Sequence, residues 1–166
     1  MAFFTATILE WKKLLQPDKY KQVIVESLRY LVAEKRIKVY GFVIMPNHLH
    51  LLWKMEKLHQ RKDVQRDFMK FTAQQIRFDL IKYHPAVLEE FRVGAKDRQY
   101  QIWERNPLSV YLYSQPVTDQ KLNYIHQNPV QEKWKLADLP EEYFYSSARF
   151  YLENQDDFGF LTHYSD

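Results

Sequence analysis

Residues 37–55 read IKVYGFVIM, then PN, then HLHLLWKM. Ile37 to Met45 is rich in β-branched and aromatic residues, the composition of a strand. Met45-Pro46-Asn47 supplies a turn, and His48 to Met55 reads as the returning strand of a hairpin. Side chains alternate between the two faces of a strand. His48 and His50 therefore share one face, while Leu49 and Leu51 point to the other, into a core.

The flanking sequence supplies the partners. Ala2 to Leu9 is a strand with two registers open: Phe3, Thr5, Thr7 and Leu9 on the core side, or Phe4, Ala6 and Ile8. Pro17 opens a helix, where its missing N–H costs nothing. Tyr20, Ile24, Leu28 and Leu31 repeat at helical spacing, and this helix ends near Lys35-Arg36. Gln60 to Tyr83 predicts a long helix. Val64, Phe68, Thr72, Ile76 and Leu80 form its apolar stripe, with Phe71 beside it; Lys62, Arg66, Lys70 and Arg77 lie roughly opposite. Pro85 ends it, and Ala86 to Phe91 fits a short helix. Gln99 to Trp103 and Val110 to Ser114 read as two more short strands around the turn at Asn106-Pro107. Thr118 is the expected N-cap of a helix running to Gln127 or Asn128, stopped by Pro129. Tyr145 to Leu152 predicts a last short helix. The order β-α-β-β-α-β(β)-α gives an α+β chain with a ferredoxin-like antiparallel sheet of four to five strands and helices packed on it.

Composition narrows the function classes. At 166 residues the expectation is one domain, 1–166, with its own core. No cysteine is present, which excludes disulfide scaffolds, Cys zinc sites and thiol nucleophiles. Only 3 glycines occur, and no glycine-rich phosphate loop can be built from them. No apolar run approaches the roughly 18 residues of a membrane span. The N-terminus lacks a signal-peptide pattern, so a soluble, cytoplasmic protein is expected. Residues 1–136 hold 23 Lys+Arg against 14 Asp+Glu, whereas residues 137–166 hold 1 against 7. A basic body with an acidic C-terminal tail fits an anionic partner such as nucleic acid; an ordinary solvated surface fits as well.

Two motifs carry chemistry. His48 and His50 stand ~7 Å apart along a strand, close enough to converge on one metal ion. A His pair suits a first-row divalent ion, with hard oxygen ligands completing the shell. HxH alone also fits two polar residues on a solvent-facing strand. The second motif is Tyr124-Ile125-His126-Gln127-Asn128-Pro129-Val130. On a helix, Tyr124 and Asn128 share a face one turn apart. The Asn carbonyl oxygen is a competent hard ligand, and the phenol is an oxygen nucleophile near the same ion. A phenol (pKa ~10) is weak at neutral pH unless a base or cation favours its anion. A metal also polarises a phosphoryl oxygen during in-line attack. Together the motifs suit phosphoryl transfer through a covalent phosphotyrosine.

The sequence resembles the REP-associated tyrosine transposases and their insertion-sequence relatives, the single-tyrosine HUH transposases. The family's His-hydrophobic-His motif matches His48-Leu49-His50 behind Val43-Ile44-Met45-Pro46-Asn47. Its YIxxNPV segment matches Tyr124 to Val130, and Tyr145-Ser146-Ser147-Ala148 is similar to its tail signature. The resemblance implies a metal-dependent single-stranded DNA endonuclease and strand transferase that acts on hairpin DNA in transposition. His48, His50 and Asn128 would hold Mg²⁺ or Mn²⁺, and Tyr124 would form a 5′-phosphotyrosine link and free a 3′-OH. Monomer and homodimer both remain open, as does supply of the tyrosine by a second subunit. Two departures stand out. Gln131-Glu132-Lys133-Trp134 replaces a region where relatives often carry glycine. Trp103-Glu104-Arg105-Asn106-Pro107 replaces a more basic stretch found in some relatives.

Candidate DNA contacts are Lys62, Arg66, Lys70, Arg77, Arg98, Arg105 and Asn47, each with an alternative role as solvated surface or, for Asn47, turn formation. Trp53 and Trp103 fit base stacking or core packing. His126, two residues from Tyr124, faces away on a helix and reads as structural. Two further function classes fit the residues: a catalytically silent binder of structured DNA or RNA, and a metal phosphoesterase using activated water.

Overall fold

In the computed structural model, which describes residues 1–166, one sheet organises the chain. Its strands are β1 (Ala2–Thr7), β2 (Ile37–Ile44), β3 (His48–Met55) and β4 (Leu108–Tyr111). They lie in the order β2-β3-β1-β4, every pair antiparallel. The helices are α1 (Asp18–Ala33), α2 (Arg61–Tyr83), α3 (Pro85–Glu89), α4 (Gln115–Gln127) and α5 (Ala148–Glu153). The path β1-α1-β2-β3-α2-β4 with this strand order is the ferredoxin-like arrangement. The sheet therefore has four strands, at the lower end of the expected range.

Alternation sorts the sheet into two unlike faces. Leu49, Leu51 and Trp53 of β3 enter a core of 29 buried residues with Phe4, Ala6, Ile24, Leu28, Phe68 and Ile76. The opposite face holds only seven buried apolar residues, among them Phe3, Val43, Leu52, Leu122 and Ile125. Each fully buried aliphatic or aromatic side chain contributes about 1.5–3 kcal/mol. The α1/α2 face thus carries most of the stability, and the other face can hold polar groups. This settles the register of β1: Phe4, Ala6 and Ile8 face the main core, and Phe3 and Thr5 face the histidines. Thr5 pairs with His50, and Phe3 with Leu52.

The long helix buries the five stripe residues, Val64, Phe68, Thr72, Ile76 and Leu80. Thr72 is tolerated there because its hydroxyl donates to the Phe68 carbonyl (2.8 Å) and accepts from Trp103 Nε1 (3.1 Å). The acidic C-terminal segment lies along β2, the outer strand. Ile44 N–H donates to the Tyr145 carbonyl, Ser147 N–H to Phe42, and Thr162 N–H to Val39. That edge is therefore covered rather than open to another strand.

Three expectations are corrected. Gln99–Trp103 is not a strand; it makes isolated bridges, Tyr100 to Arg92 and Trp103 to Ile8. The last strand begins at Leu108 rather than Val110, because pairing with β1 sets its ends (Thr5 with Leu108, Ala2 with Tyr111). Thr118 is not the N-cap of α4. That helix begins at Gln115 behind the extended Ser114, with Pro116 in its first turn, where proline is tolerated. Thr118 instead donates its hydroxyl to the Ser114 carbonyl (3.1 Å).

The β2–β3 pairing is irregular between Val39 and Gly41, and α4 crosses there. A Cβ on Gly41 would lie 2.7 Å from Leu122 Cδ1. The glycine thus sets how closely α4 approaches the sheet. Gly41→Ala is expected to push α4 outward and to destabilise by about 1–3 kcal/mol, the usual cost of overpacking. Urea unfolding checks this, and a midpoint unchanged from the parent would show that Leu122 simply turns aside.

Candidate active site

β3, β1 and α4 bring the two sequence motifs together. The His48 and His50 rings lie side by side on the α4 face of the sheet, centroids 4.8 Å apart. The ring of Tyr124 on α4 lies 5.2 Å from that of His50, at 63°. Asn128 caps α4 and begins the 3₁₀ turn Asn128–Val130. Its side chain is buried near His48, without a hydrogen bond of normal geometry to it. Tyr124 itself is 44% exposed. All four groups belong to one chain.

Each imidazole is oriented by a neighbour. Asn47 Nδ2 donates to the Trp11 carbonyl (3.3 Å), which turns Oδ1 toward His48 Nδ1 at 2.6 Å. His48 Nδ1 is therefore the donor, and Nε2 keeps its lone pair. His50 Nδ1 lies 2.7 Å from Thr5 Oγ1, while Phe3 stacks on the ring (5.3 Å, 21°). His50 Nε2 and Asn128 Oδ1 are both buried with no hydrogen-bond partner. Buried polar atoms are nearly always satisfied, so two orphaned polar atoms near the His48 ring fit a divalent cation when His50 carries its proton on Nδ1, toward Thr5. No cluster of three His, Cys, Asp or Glu residues exists, so the oxygen that could join the two imidazoles here is that of the Asn128 amide. Those donors, two imidazoles and an oxygen, suit a first-row divalent ion.

Burial keeps both rings neutral. It lowers the pKa of His48 to about 4, helped by the charge of Lys133 and opposed by Asn128. It lowers His50 to about 3, with further depression from His48 and Lys121. A neutral imidazole is the form that binds metal. These shifts also predict a pH dependence. Between pH 6.5 and the folded values the unfolded chain takes up protons that the folded one does not, so stability falls as pH falls. His126, lowered to about 4 by burial, adds to the effect. Melting in EDTA is expected to show Tm dropping from pH 6.5 to pH 4. His50→Gln should make that slope shallower; an equal slope would place the protons elsewhere.

The remaining candidates are more scattered. Lys62, Arg66, Lys70, Arg77 and Arg98 line a groove of about 770 Å³ between α2 and residues 97–107. That helix packs on the sheet face opposite the histidines, so these cations do not reach the imidazoles. Arg66 is paired with Asp63 and Asp67, and Arg98 and Arg105 with Asp97. Asn47 is buried with both ends of its amide engaged. It orients His48, in keeping with the turn role among its two expected ones. Trp53 and Trp103 are buried in the main core and offer no stacking surface. His126 is buried on the far side of the helix from Tyr124, with Nε2 2.9 Å from Ser147 Oγ.

The architecture has known counterparts, although no family model and no curated protein sequence matches this chain. One solved structure, a REP-associated tyrosine transposase bound to a REP hairpin, superposes with a TM-score of 0.67 at 16% identity. The match covers 99% of this chain and 87% of that one. The chain has the REP-associated tyrosine transposase fold. A candidate transposase from Deinococcus radiodurans R1 also superposes, with a TM-score of 0.50 at 14% identity, covering 75% of this chain and 88% of that one.

On this transposase fold the chain adds groups that the two sequence motifs do not contain. Thr5 and Phe3 hold His50, and only the register of β1 reveals them. Lys121 lies three residues before Tyr124 on α4. Its Nζ is 4.8 Å from the Phe3 centroid and 5.9 Å from that of Tyr124, and it forms none of the chain's ion pairs. Helical spacing from Tyr124 was the signal available for it. Trp134 reaches within 5.9 Å of His48. The turn after Val130 closes with Lys135 in the left-handed region (φ 45°), so the chain makes this turn without glycine.

Proposed function

We propose that the chain is a transposase: a metal-dependent single-stranded DNA endonuclease and strand transferase in which Tyr124 is the nucleophile. The observation carrying this reading is the placement of the Tyr124 phenol beside the His50 ring, next to the orphaned His50 Nε2 and Asn128 Oδ1. His48, His50 and Asn128 would hold Mg²⁺ or Mn²⁺. When bound, such an ion polarises a non-bridging phosphate oxygen and stabilises the charge that builds up on in-line attack.

The chain's own residues do the rest. Tyr124 Oη loses its proton to solvent, which later supplies the one taken by the departing 3′ oxygen, and attacks the phosphorus of the scissile phosphate. The bond to the 3′ oxygen breaks, and that oxygen leaves as a free 3′-OH after taking a proton. The 5′ phosphate stays on Tyr124. Attack by the 3′-OH of another strand reverses the step and regenerates the phenol, so rejoining needs no nucleotide cofactor. Lys121, a cation without a carboxylate partner, is placed to stabilise the phenolate and the phosphate charge. Asn47 and Thr5 keep the imidazoles aimed. The nearness of Tyr124 to His50 within one chain supports cleavage with the tyrosine in cis.

Hairpin DNA with a single-stranded flank is the proposed substrate, given that the similarly folded transposase was solved on a REP hairpin. The α2 groove is a candidate for its duplex backbone. The whole chain, 1–166, acts as one catalytic unit. No helix is long and apolar enough to cross a membrane, and a cytoplasmic, nucleoid-associated location fits a DNA substrate.

The test is to incubate flanked hairpin DNA, labelled 3′ to the cut, with protein and Mn²⁺ and to run a denaturing gel. Label travelling with the protein supports tyrosine chemistry. Label only in free fragments would assign water as nucleophile, and intact DNA under conditions of tight binding would make the chain a silent binder.

A further inference from the structure

Among the four tryptophans, only Trp11 turns most of its ring to solvent: it is 63% exposed. Its position is nonetheless fixed. Glu10 and Trp11 both adopt left-handed backbone (φ 55° and 57°), which is costly for non-glycine residues. The conformation is held from several directions. Trp11 N–H donates to the Ile8 carbonyl, Ile8 N–H to Asn47, and Leu9 N–H to Ile102. Asn47 Nδ2 donates to the Trp11 carbonyl. The same Asn47 amide orients His48. One side chain thus ties the exposed indole to a residue of the candidate active site, and the Trp11 and His48 rings meet edge to face at 6.2 Å.

Charges of both signs surround the ring: the Glu104 carboxylate accepts from Glu10 N–H (2.6 Å), and two lysines without a carboxylate partner lie on the histidine side. Lys13 Nζ lies 5.9 Å from the Trp134 ring centroid, and Trp134 flanks His48 from its own turn. Lys133 is the residue immediately before Trp134 in that turn. Neither lysine is engaged in an ion pair. An exposed indole adds little to folding, yet here it occupies strained, well-braced backbone. Strain of this kind collects where a side chain must be presented. Aromatic rings flanked by lysines are how proteins grip unpaired nucleotides, base on ring and phosphate on cation.

We propose that Trp11 is a stacking platform for one unpaired nucleobase of the single-stranded flank, placed next to the scissile phosphate, with Lys13 and Lys133 contacting the neighbouring phosphates. This rests on the strand-cleaving reading for its substrate, but its readout is binding, which needs neither Tyr124 nor metal. The probes are a DNA hairpin with a ten-nucleotide mixed-sequence single-stranded flank and the same hairpin without it, added to full-length Tyr124→Phe protein. The flanked probe should quench tryptophan fluorescence, and Trp11→Ala should remove the quench. Trp11→Ala should weaken flanked-probe binding roughly 5- to 150-fold, the range for losing one stacked base, and leave the blunt hairpin unaffected. Trp11→Asn, a residue that tolerates left-handed backbone, should behave like Ala. Trp11→Tyr should restore binding. An abasic nucleotide at the stacked position should weaken the parent and cost the Ala variant nothing more.

The inference is overturned if the parent shows no flank-dependent quenching. It is equally overturned if Ala and Asn variants bind the flanked probe as the parent does, or lose affinity equally for the blunt hairpin. Wild-type adducts on the denaturing gel, with Trp11 variants binding normally, would leave the strand-cleaving reading intact and remove only the platform.

Discussion

Tyr124→Phe protein is expected to form no covalent adduct with single-stranded DNA while binding it as the parent does. The phenol is half exposed on α4 and has no hydrogen-bond partner within the chain, so its loss should change stability by less than about 0.5 kcal/mol. The ring, with its contacts to Phe3 and His50, is kept by phenylalanine. Chemistry should fall on the order of 10⁴-fold or more, the scale on which removing a nucleophile acts. The contrast between unchanged folding and binding and absent adduct makes the experiment decisive. A Phe variant that still cleaves would move the nucleophile to water or to another tyrosine. The other buried or half-buried tyrosines near this face are poor substitutes: Tyr143 donates to the Ile44 carbonyl and Tyr151 to the Tyr40 carbonyl. Burial pushes both phenols further from ionisation.

The sheet was legible because the 37–55 hairpin has a returning strand, His48–Met55, with period-2 alternation and a different chemistry on each side. The α2 stripe was legible for the corresponding reason, a 3.6-residue period sustained over 23 residues. What local pattern could not supply was anything decided by pairing. The register of β1 looked ambiguous because apolar residues occupy both faces, and the structure uses both: Phe4 fills the main core and Phe3 stacks on His50. The short strand β4 took its ends from β1, not from its own alternation. Thr118 had the chemistry of an N-cap, yet Pro116, two residues earlier, lies within the first turn and marks the helix start. In the site, the residues with recognisable spacing were His48, His50, Tyr124 and Asn128. Asn47 adjoins His48 in the same motif, whereas Thr5 and Phe3 hold His50 through long-range contacts, and residues of this second kind leave no local signature. The basic residues of α2 were visible as a charged face, but their side of the sheet is decided by which helix stripe is apolar. That stripe turns them away from the imidazoles.

The metal-binding reading makes its sharpest prediction where stability and function should separate. His50 is buried, its Nε2 has no partner, and Phe3 stacks on its ring. Without a cation, that nitrogen is a desolvated acceptor left unsatisfied, which costs about 1–3 kcal/mol. His50→Phe removes the acceptor and keeps an aromatic ring against Phe3, though it leaves Thr5 Oγ1 without its 2.7 Å partner. In EDTA the variant is therefore expected to melt at or slightly above the wild-type temperature at neutral pH. Mn²⁺ should reverse the order. A ligand that binds only the folded state stabilises by about 2.7 kcal/mol at one hundred times its Kd. Wild-type Tm should accordingly rise by several degrees, and the Phe variant, reduced to one imidazole and an amide, should not respond over the same range. Titration calorimetry with Mn²⁺ should show binding lost in the variant and weakened in Asn128→Ala. Asn128→Asp, which replaces a neutral oxygen by a charged one, should tighten it. Equal responses to Mn²⁺ in wild type and His50→Phe would mean that the orphaned acceptors serve something other than a cation. The adjacent phenol would then lack the charge stabilisation that its chemistry at neutral pH requires.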